Sequence, residues 1–275
     1  MLTNGLKATS PFKKKGEVAP PRRKLKVPYL FIFLCLFPWL SGLILFTAYP
    51  MISSFYQSFT KFNIINPPEF IGLDNYRRMF FEDEDFMKAL KNTIWISVIS
   101  IPLRICFAIF TAWLLTRPKH GSKIYRTLFF IPSMVPAVAA TIVFTFVFNP
   151  IYGPINRTLE GVGIDNPPYW FLDPNWSKWG LILLGLWGIG DTMIIFLAGL
   201  LDVPKSLYEA AELEGASTWQ TFRYITLPLL TPVIFFSGVT GVIGSFQYFT
   251  QAFVASGQVN DYSKAMYFYA THIYE

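Results

Sequence analysis

The sequence predicts an all-α, polytopic membrane protein, because its composition is apolar and because it contains five long apolar runs. Of its 275 residues, 53% are hydrophobic and only 15% are charged. The mean hydropathy is +0.40, which is far from that of an ordinary soluble domain. A helix needs about 20 apolar residues to cross a hydrocarbon layer of roughly 30 Å. The runs of this length are 30–49, 93–116, 128–148, 179–201 and 229–255.

The distribution of charge predicts how the chain is oriented. Residues 1–27 carry eight Lys or Arg and a single acid, Glu17. Positive residues stay on the cytoplasmic side, so the N-terminus is expected there. The next loop on that side, 117–126, has four basic residues and no acid, whereas the expected outer segments, 58–91 and 149–177, together hold six basic and nine acidic residues.

The basic segment 1–27 also contains three Pro, two Gly and one Ser, which predicts a mostly disordered cytoplasmic tail. A basic tail can bind nucleic acid or anionic lipid. Here a topology signal that rests on the lipid head groups is the better interpretation, and no nucleic-acid partner is expected. Residues 28–275 then form one membrane domain.

The motifs of nucleotide and metal chemistry are missing from the sequence. There is no phosphate-binding Gly-rich loop ending in Gly-Lys-Ser/Thr, no His-Glu-x-x-His and no Cys pair at metal-ligand spacing. Cys35 and Cys106 both fall inside apolar runs, where a thiol behaves as a small hydrophobe. The chain is therefore not expected to be an enzyme or to hold a metal.

A polar stretch between the fourth and fifth runs predicts two short helices. Residues 206–214 are strong helix formers. Gly215 can adopt backbone conformations that are costly for other residues, so it can end one helix and let a second begin at a steep angle. An apolar face of the second helix is formed by Trp219, Phe222 and Ile225.

Two interpretations of this loop, 203–228, remain open. An exposed joint between two short helices suits docking into a groove on a cytoplasmic partner, whereas an amphipathic helix can also rest on the membrane surface. The loop carries more acids than bases, and a net negative segment matches the anionic inner leaflet poorly. Charge therefore favours the partner. The acids are Glu209, Glu212 and Glu214, with Asp202 directly before the loop, and the bases are Lys205 and Arg223.

The spacing within this loop resembles the EAA loop of binding-protein-dependent ABC importer permeases. The matching positions are Glu209, Ala210, Ala211, Gly215, Ile225, Leu227 and Pro228. One departure is Glu214, where the carbohydrate branch usually has Asp. The stretches "FIGLDNYRRMF", "RTLFFIPSMVPAVAA" and "FNPIYGPIN" are also similar to that branch, and to the first of the two permeases of maltose-type importers. The resemblance runs from about residue 29 to the end of the chain.

The resemblance implies a type I ABC importer transmembrane fold in the bacterial cytoplasmic (inner) membrane. It also implies three kinds of partner, namely a second homologous permease, two ATPase subunits and an extracytoplasmic solute-binding protein. ATP and Mg²⁺ would then be bound by the ATPase subunits, with no cofactor in this chain. A sixth span after residue 275 is expected, because five spans leave the C-terminus outside and the family has a further one.

The resemblance further implies a role for the loop as the coupling element that the ATPase subunits move. The residues expected at or near that contact are Glu209, Ala210, Ala211, Gly215, Ala216, Arg223, Leu227 and Pro228.

Two charged residues, Arg104 and Asp191, lie deep inside the predicted spans. Because charge within a membrane is expensive, such residues usually have a function. They are expected either to line the translocation path or to pair with each other, or with the second permease, to hold helices together. A cation at Arg104 also suggests an acidic cargo, such as a uronic-acid oligosaccharide or a sugar phosphate, as an alternative to a neutral sugar.

In the resembling family, residues of the fourth and fifth spans line the sugar site. The stretches that match are "LWGIGDTM" and "GSFQYFTQAF". They offer small, polar and aromatic surfaces, as a sugar requires, although Tyr248 can equally be a packed aromatic. With Arg104, the expected path residues are Gly185, Gly190, Asp191, Thr192, Gln247, Tyr248 and Gln251.

The function predicted from the sequence is therefore that of a permease subunit of an ATP-driven sugar importer. A membrane-embedded enzyme is the rival from another class, and it would need a cluster of His, Asp or Ser near one interface that the sequence does not contain. A passive channel would have no need of a loop of this form.

Overall fold

The computed structural model describes residues 29–63, 65–116, 121–259 and 264–275. The predicted tail, 1–27, lies outside the described residues, so its expected disorder stays a prediction. The chain falls into two compact units, one that ends at Asn75 and one that runs from Tyr76 to Glu275.

The first unit is dominated by one helix of 29 residues, which extends beyond the apolar run that predicted it. It consists of α1 (Tyr29–Leu43), a π turn (Ile44–Ala48) and α2 (Tyr49–Gln57). Pro50, near the start of α2, has no N–H to donate to the carbonyl of Phe46, and the π turn loosens the helix at this point. No side chain of α1 or α2 is buried, as expected of a helix that faces lipid.

A small hairpin follows this helix, within the expected outer segment 58–91. Its antiparallel strands are β1 (Thr60–Lys61) and β2 (Glu69–Phe70). The amide of Asn75 donates hydrogen bonds of 2.9 Å to the carbonyls of Ser58 and Thr60. The side chain therefore holds the segment after the hairpin next to the end of the long helix.

The second unit is organised around a single long helix, α4 (Glu84–Thr116), which follows the short α3 (Asp74–Phe81). At 33 residues, α4 is about 50 Å long. The helices that pack against it most extensively are α8 (Ser177–Trp187), α9 (Gly190–Asp202), α13 (Thr231–Phe246) and α15 (Tyr269–Tyr274).

The third apolar run does not form one continuous helix. A first helix, α5 (Ser122–Phe130), continues as a 3₁₀ turn (Ile131–Met134) and is followed by α6 (Ala137–Val147). The two helices meet at 97°. Pro136 explains the break, because a residue before proline avoids the helical region, and Val135 has a ψ of 129°.

The fourth and fifth runs are interrupted as well. The helices α8 and α9 meet at 51°, where Gly188 ends the first of them. The segment that leads into the fifth run, Thr218–Leu229, is bent by 62° relative to α13. Its far end is also broken, since α13 stops at Phe246 and α14 (Thr250–Val259) is a separate helix. Within the described residues, two helices could cross a membrane, or five if each bent pair is one span.

The second unit has two apolar cores that lie at different levels of α4. One surrounds Ile96 and contains the fully buried Phe268, which precedes α15. The other surrounds Ala108 and Ala112 and contains the fully buried Phe196 of α9. The part of α4 between these cores carries Arg104.

Candidate functional site

A cavity of about 450 Å³ opens beside the middle of α4. Its wall is about half polar, since hydroxyl and amide side chains lie among glycines and the side chains of isoleucine and leucine. The polar and aromatic residues that line it are Ser100, Arg104, Thr192, Ser237, Thr240, Ser245, Gln247, Tyr248, Thr250 and Gln251.

The breaks in the helices shape this cavity. Gln247 and Tyr248 lie in the gap between α13 and α14, where the chain is free of regular helix bonding and both side chains reach the wall. Gly185 lies on α8 just before its junction with α9, and a Cβ atom there would meet nothing within 4 Å. The missing side chain therefore leaves room in the cavity.

Six of the eight residues that the sequence proposed for a substrate path line this cavity. They are Arg104, Gly185, Thr192, Gln247, Tyr248 and Gln251. Gly190 and Asp191 do not. A Cβ atom on Gly190 would lie 2.8 Å from the carbonyl oxygen of Phe129, so this glycine lets α9 approach the end of α5.

Asp191 is exposed, and its carboxylate accepts a hydrogen bond of 3.3 Å from the hydroxyl of Ser133. It forms no ion pair with Arg104, whose guanidinium instead lies 3.5 Å from the hydroxyl of Thr192. The expectation that Arg104 and Asp191 pair with each other is therefore wrong in this structure.

Several lining residues were missed by the sequence reasoning, notably the hydroxyls of α13. Ser237, Gly241 and Ser245 recur every four residues and so share one face of the helix. This spacing was the available signal. The hydroxyl of Ser245 lies 2.5 Å from that of Ser97 on α4, whereas the buried hydroxyl of Ser237 has no hydrogen-bond partner among the described residues.

The wall also has an aromatic part. Tyr248 packs edge-on against Phe268, with ring centroids 5.6 Å apart. The ring is therefore both a packed aromatic and a lining residue, and the two interpretations that the sequence left open are compatible. Held in this way, Tyr248 offers a rigid apolar surface next to the hydroxyl and amide groups.

The polar loop forms a second candidate site, and it has the two-helix form that the sequence predicted. The first helix, α10 (Lys205–Leu213), is followed by the joint at Gly215, whose φ is +75°. The N–H of Gly215 donates to the carbonyl of Glu212, and the N–H of Ala216 donates to that of Ala211. This pair of bonds is a Schellman motif, which requires the left-handed backbone that glycine adopts at little cost.

The second arm of the loop begins with a capping box that the sequence reasoning overlooked. The hydroxyl of Ser217 accepts from the N–H of Gln220, and the side chain of Gln220 accepts from the N–H of Ser217. The Ser-x-x-Gln spacing was the available signal. The arm then runs through α11 (Thr218–Thr221), a π turn (Phe222–Thr226) and α12 (Leu227–Leu229).

Most of the predicted coupling residues lie on the outer surface of the loop. The exposed ones are Glu209, Ala210, Gly215, Arg223 and Pro228. Ala216 and Leu227 are partly buried, and Ala211 is buried at 7% exposure. Apolar side chains are exposed beside them, since Leu213 is 90% and Trp219 is 69% exposed. A loop with this surface is suited to contact another protein.

Comparison with known proteins decides the family. The family described as "Binding-protein-dependent transport system inner membrane component" matches residues 104–260. The chain belongs to this family. The matched range includes most of the cavity and the whole of the loop, so both candidate sites lie within the part that family members share.

Individual relatives of this inner membrane component are likewise named as transport permeases. The chain is 41% identical over 219 residues to the probable ABC transporter permease protein YesP of Bacillus subtilis. This match covers 80% of this chain and 71% of YesP. It is 34% identical over 239 residues to the arabinooligosaccharides transport system permease protein AraP of the same organism, covering 84% and 72% of the two chains.

A solved structure shares the fold of this inner membrane component. It is the bacterial alginate ABC transporter in complex with an alginate pentasaccharide-bound periplasmic protein, and one of its chains superimposes with a TM-score of 0.74 at 24% identity. The match covers 89% of this chain and 82% of the other. The mostly helical fold is therefore that of an ABC importer permease.

Proposed function

We propose that this chain is the membrane-spanning permease subunit of an ATP-driven importer for a sugar or oligosaccharide. The relative AraP is named for the transport of arabinooligosaccharides, and the solved relative carries alginate. The observation that carries the proposal is the polar cavity beside Arg104, in which hydroxyl and amide groups surround the ring of Tyr248.

The lining of the cavity is suited to a saccharide. Hydroxyl and amide side chains can both donate and accept hydrogen bonds, as sugar hydroxyls require. The ring of Tyr248 offers an apolar face to the C–H side of a sugar ring. A volume of about 450 Å³ lies within the usual range of small-molecule sites. The unpartnered hydroxyl of Ser237 is one group that cargo or water would satisfy.

In this proposal the second homologous permease supplies the opposite wall of the path, and the solute-binding protein delivers cargo from outside. The proposal takes the N-terminus to be cytoplasmic, because segment 1–27 is basic. With each bent pair counted as one span, four spans separate this end from the loop 203–228, so the loop would lie on the same side. Substrate-path roles are proposed for the lining residues. Gly190 and Asp191 are instead assigned to the packing of α9 against the end of α5 and the 3₁₀ turn that follows it.

The loop is proposed to dock into the two ATPase subunits, which bind ATP and Mg²⁺. Its exposed joint at Gly215 and the exposed Leu213 suit a groove on another protein. Hydrogen bonds fix the geometry of both arms, so movement of the docked joint is passed on to α13, which follows the second arm. The bends in the spans then let the cavity face outward and inward in turn.

Uptake of labelled oligosaccharides by cells that carry the complete importer tests this function. We expect ATP-dependent uptake with the wild-type chain, and its loss with Gly185→Leu, because a leucine would fill space in the cavity. Gly161→Leu is the matched control, since that glycine is exposed and a Cβ atom there also meets nothing within 4 Å. If the purified chain never retains an ATPase subunit, the importer assignment fails.

A further inference from the structure

Arg104 is the one charged side chain among the described residues that line the cavity. The remaining polar lining consists of neutral hydroxyl and amide groups, so within the described chain the wall carries a net positive charge. The side chain starts from the middle of α4, two residues after Pro102, and is only partly exposed.

No described carboxylate forms an ion pair with this guanidinium. Asp191 is engaged with Ser133 and does not line the cavity. The one hydrogen bond from Arg104 goes to the hydroxyl of Thr192, and at 3.5 Å it is long. The guanidinium has five N–H donors, and this is the one hydrogen bond that it makes to the described residues, although the residue lines the cavity.

A cation in this position is costly unless something compensates it. Charged groups inside membrane domains are retained where they meet water, a partner charge or a substrate. A guanidinium is weakly hydrated and has a planar fork that matches a carboxylate with two parallel hydrogen bonds. An anion that enters the cavity would therefore gain a strong, oriented contact that a neutral sugar lacks.

The groups around Arg104 fit the rest of such a cargo. Thr192, Thr240 and Gln251 can bond the hydroxyls of a sugar, while Tyr248 can contact its ring. The cavity as a whole therefore matches a saccharide that carries one anionic group at the level of α4.

We propose that Arg104 is a specificity-determining residue that selects acidic saccharides, with the carboxylate of a uronic acid as the group it binds. This inference rests on the proposed function, because it names the substrate class of the same cavity. A sugar phosphate offers the same anionic chemistry and is distinguished by the experiment. The rival explanation is that an acidic side chain of the second permease forms an ion pair with the guanidinium.

The test compares matched pairs of cargo in the complete importer. Each pair is a short uronic-acid oligosaccharide and its carboxyl-reduced, neutral counterpart, and a sugar phosphate forms a third arm. We expect the wild-type importer to favour the acidic member of a pair. Arg104→Gln should lower the ratio of acidic to neutral uptake by about tenfold or more, because a hydrogen bond to a charged group is lost. A fall confined to the sugar phosphate would instead identify a phosphate as the anion and overturn the uronic-acid assignment.

Two further variants separate selectivity from general damage. Arg104→Lys keeps the positive charge but not the planar fork, so its ratio should lie between those of the wild type and Arg104→Gln. Thr240→Val removes a neutral hydroxyl from the same wall, so it should lower the uptake of both cargoes by similar factors and preserve the ratio.

Equal losses of acidic and neutral uptake in Arg104→Gln would overturn the inference and favour pairing with the second permease. A wild-type importer without preference for the acidic member would also overturn it, and that arm needs no variant. Both results leave the proposed function intact. Failure of the wild-type importer to move any oligosaccharide would instead contradict the proposed function itself.

Discussion

The hydroxyl of Tyr208 lies 3.1 Å from that of Thr226, and this contact joins the two arms of the polar loop behind the joint at Gly215. Tyr208 belongs to α10, and Thr226, only 3% exposed, ends the π turn of the second arm. Because a hydrogen bond holds the arms together, we expect a displacement of α10 to be passed to the segment that leads into α13.

Tyr208→Phe should weaken this connection without removing the aromatic ring. We expect the free energy of unfolding to fall by about 1 kcal/mol, the usual net value of a hydrogen bond, and uptake to fall while the ATPase subunits still co-purify. Tyr224→Phe is the control, because Tyr224 lies on the second arm but is 74% exposed. The thermal unfolding midpoint of the purified complex is measured for both variants, and uptake is measured in cells. Equal midpoints for the two variants would contradict the role of the contact.

Substitutions of Gly215 should act through backbone conformation alone. A Cβ atom at this position meets nothing within 4 Å, but φ is +75°. Asn tolerates the left-handed region, whereas a β-branched residue is strained there. We therefore expect Gly215→Asn to keep most of the uptake and Gly215→Val to lose it, with membrane insertion of both unchanged.

Uptake by cells and recovery of the chain from the membrane fraction check this prediction. If Gly215→Val transports as well as Gly215→Asn, the Schellman geometry of the joint is not required for coupling.

The loop could be predicted in form from the sequence because its determinants are local. The left-handed glycine and the run of helix formers act within a few residues, and a spacing pattern can be read directly from the letters. The assignment of the spans to apolar runs depends on equally local composition. Both inferences needed no knowledge of which helices meet.

The breaks within the spans were harder to predict, because an apolar run shows length but not continuity. The signals existed in the Pro132 and Pro136 pair and in the glycines at 188 and 190. Proline is nevertheless tolerated inside α4, where Pro102 causes no break, so proline alone does not decide the question. What decides is whether neighbouring helices satisfy the freed backbone groups, and that depends on packing.

Only part of the cavity was predicted correctly from the sequence, and the reason is again the unpredicted bends. Thr192 and Gln251 were chosen because their residue types suit sugars, but Asp191 was placed in the path because its charge lies at mid-span. The bend at 188–189 instead leaves it beside Ser133. The direction in which a side chain points after a bend cannot be read from hydropathy.

Gly190 and Gly185 should respond differently to the same small change. A Cβ atom on Gly190 would lie 2.8 Å from backbone atoms of Phe129 and Phe130, whereas one on Gly185 meets nothing within 4 Å. We expect Gly190→Ala to destabilise the protein by about 1–3 kcal/mol through overpacking and to lower the yield of intact complex. Gly185→Ala should give a normal yield.

Size-exclusion chromatography of the detergent-solubilised complex makes this comparison. A normal yield from Gly190→Ala would show that α5 and α9 can separate at little cost, which would contradict the close approach seen at this junction.

The last prediction concerns Asn92, which connects three segments of the second unit. Its amide nitrogen donates to the carbonyls of Lys264 and Tyr267 at 3.0 and 2.8 Å, and its amide oxygen accepts from the ammonium of Lys178 at 2.8 Å. The side chain is 7% exposed. Asn92→Leu would therefore leave buried polar groups without these bonds, and we expect a loss of about 3 kcal/mol in the free energy of unfolding.

Asp85→Asn is the control, because it breaks a second contact between α4 and the same segment. The carboxylate of Asp85 lies 2.6 Å from the ammonium of Lys264, but both side chains are more than two-fifths exposed. Exposed ion pairs contribute little to stability, so this variant should unfold close to the wild-type midpoint. If Asp85→Asn destabilises the complex more than Asn92→Leu does, the segment 264–268 is held by the surface ion pair rather than by the buried amide.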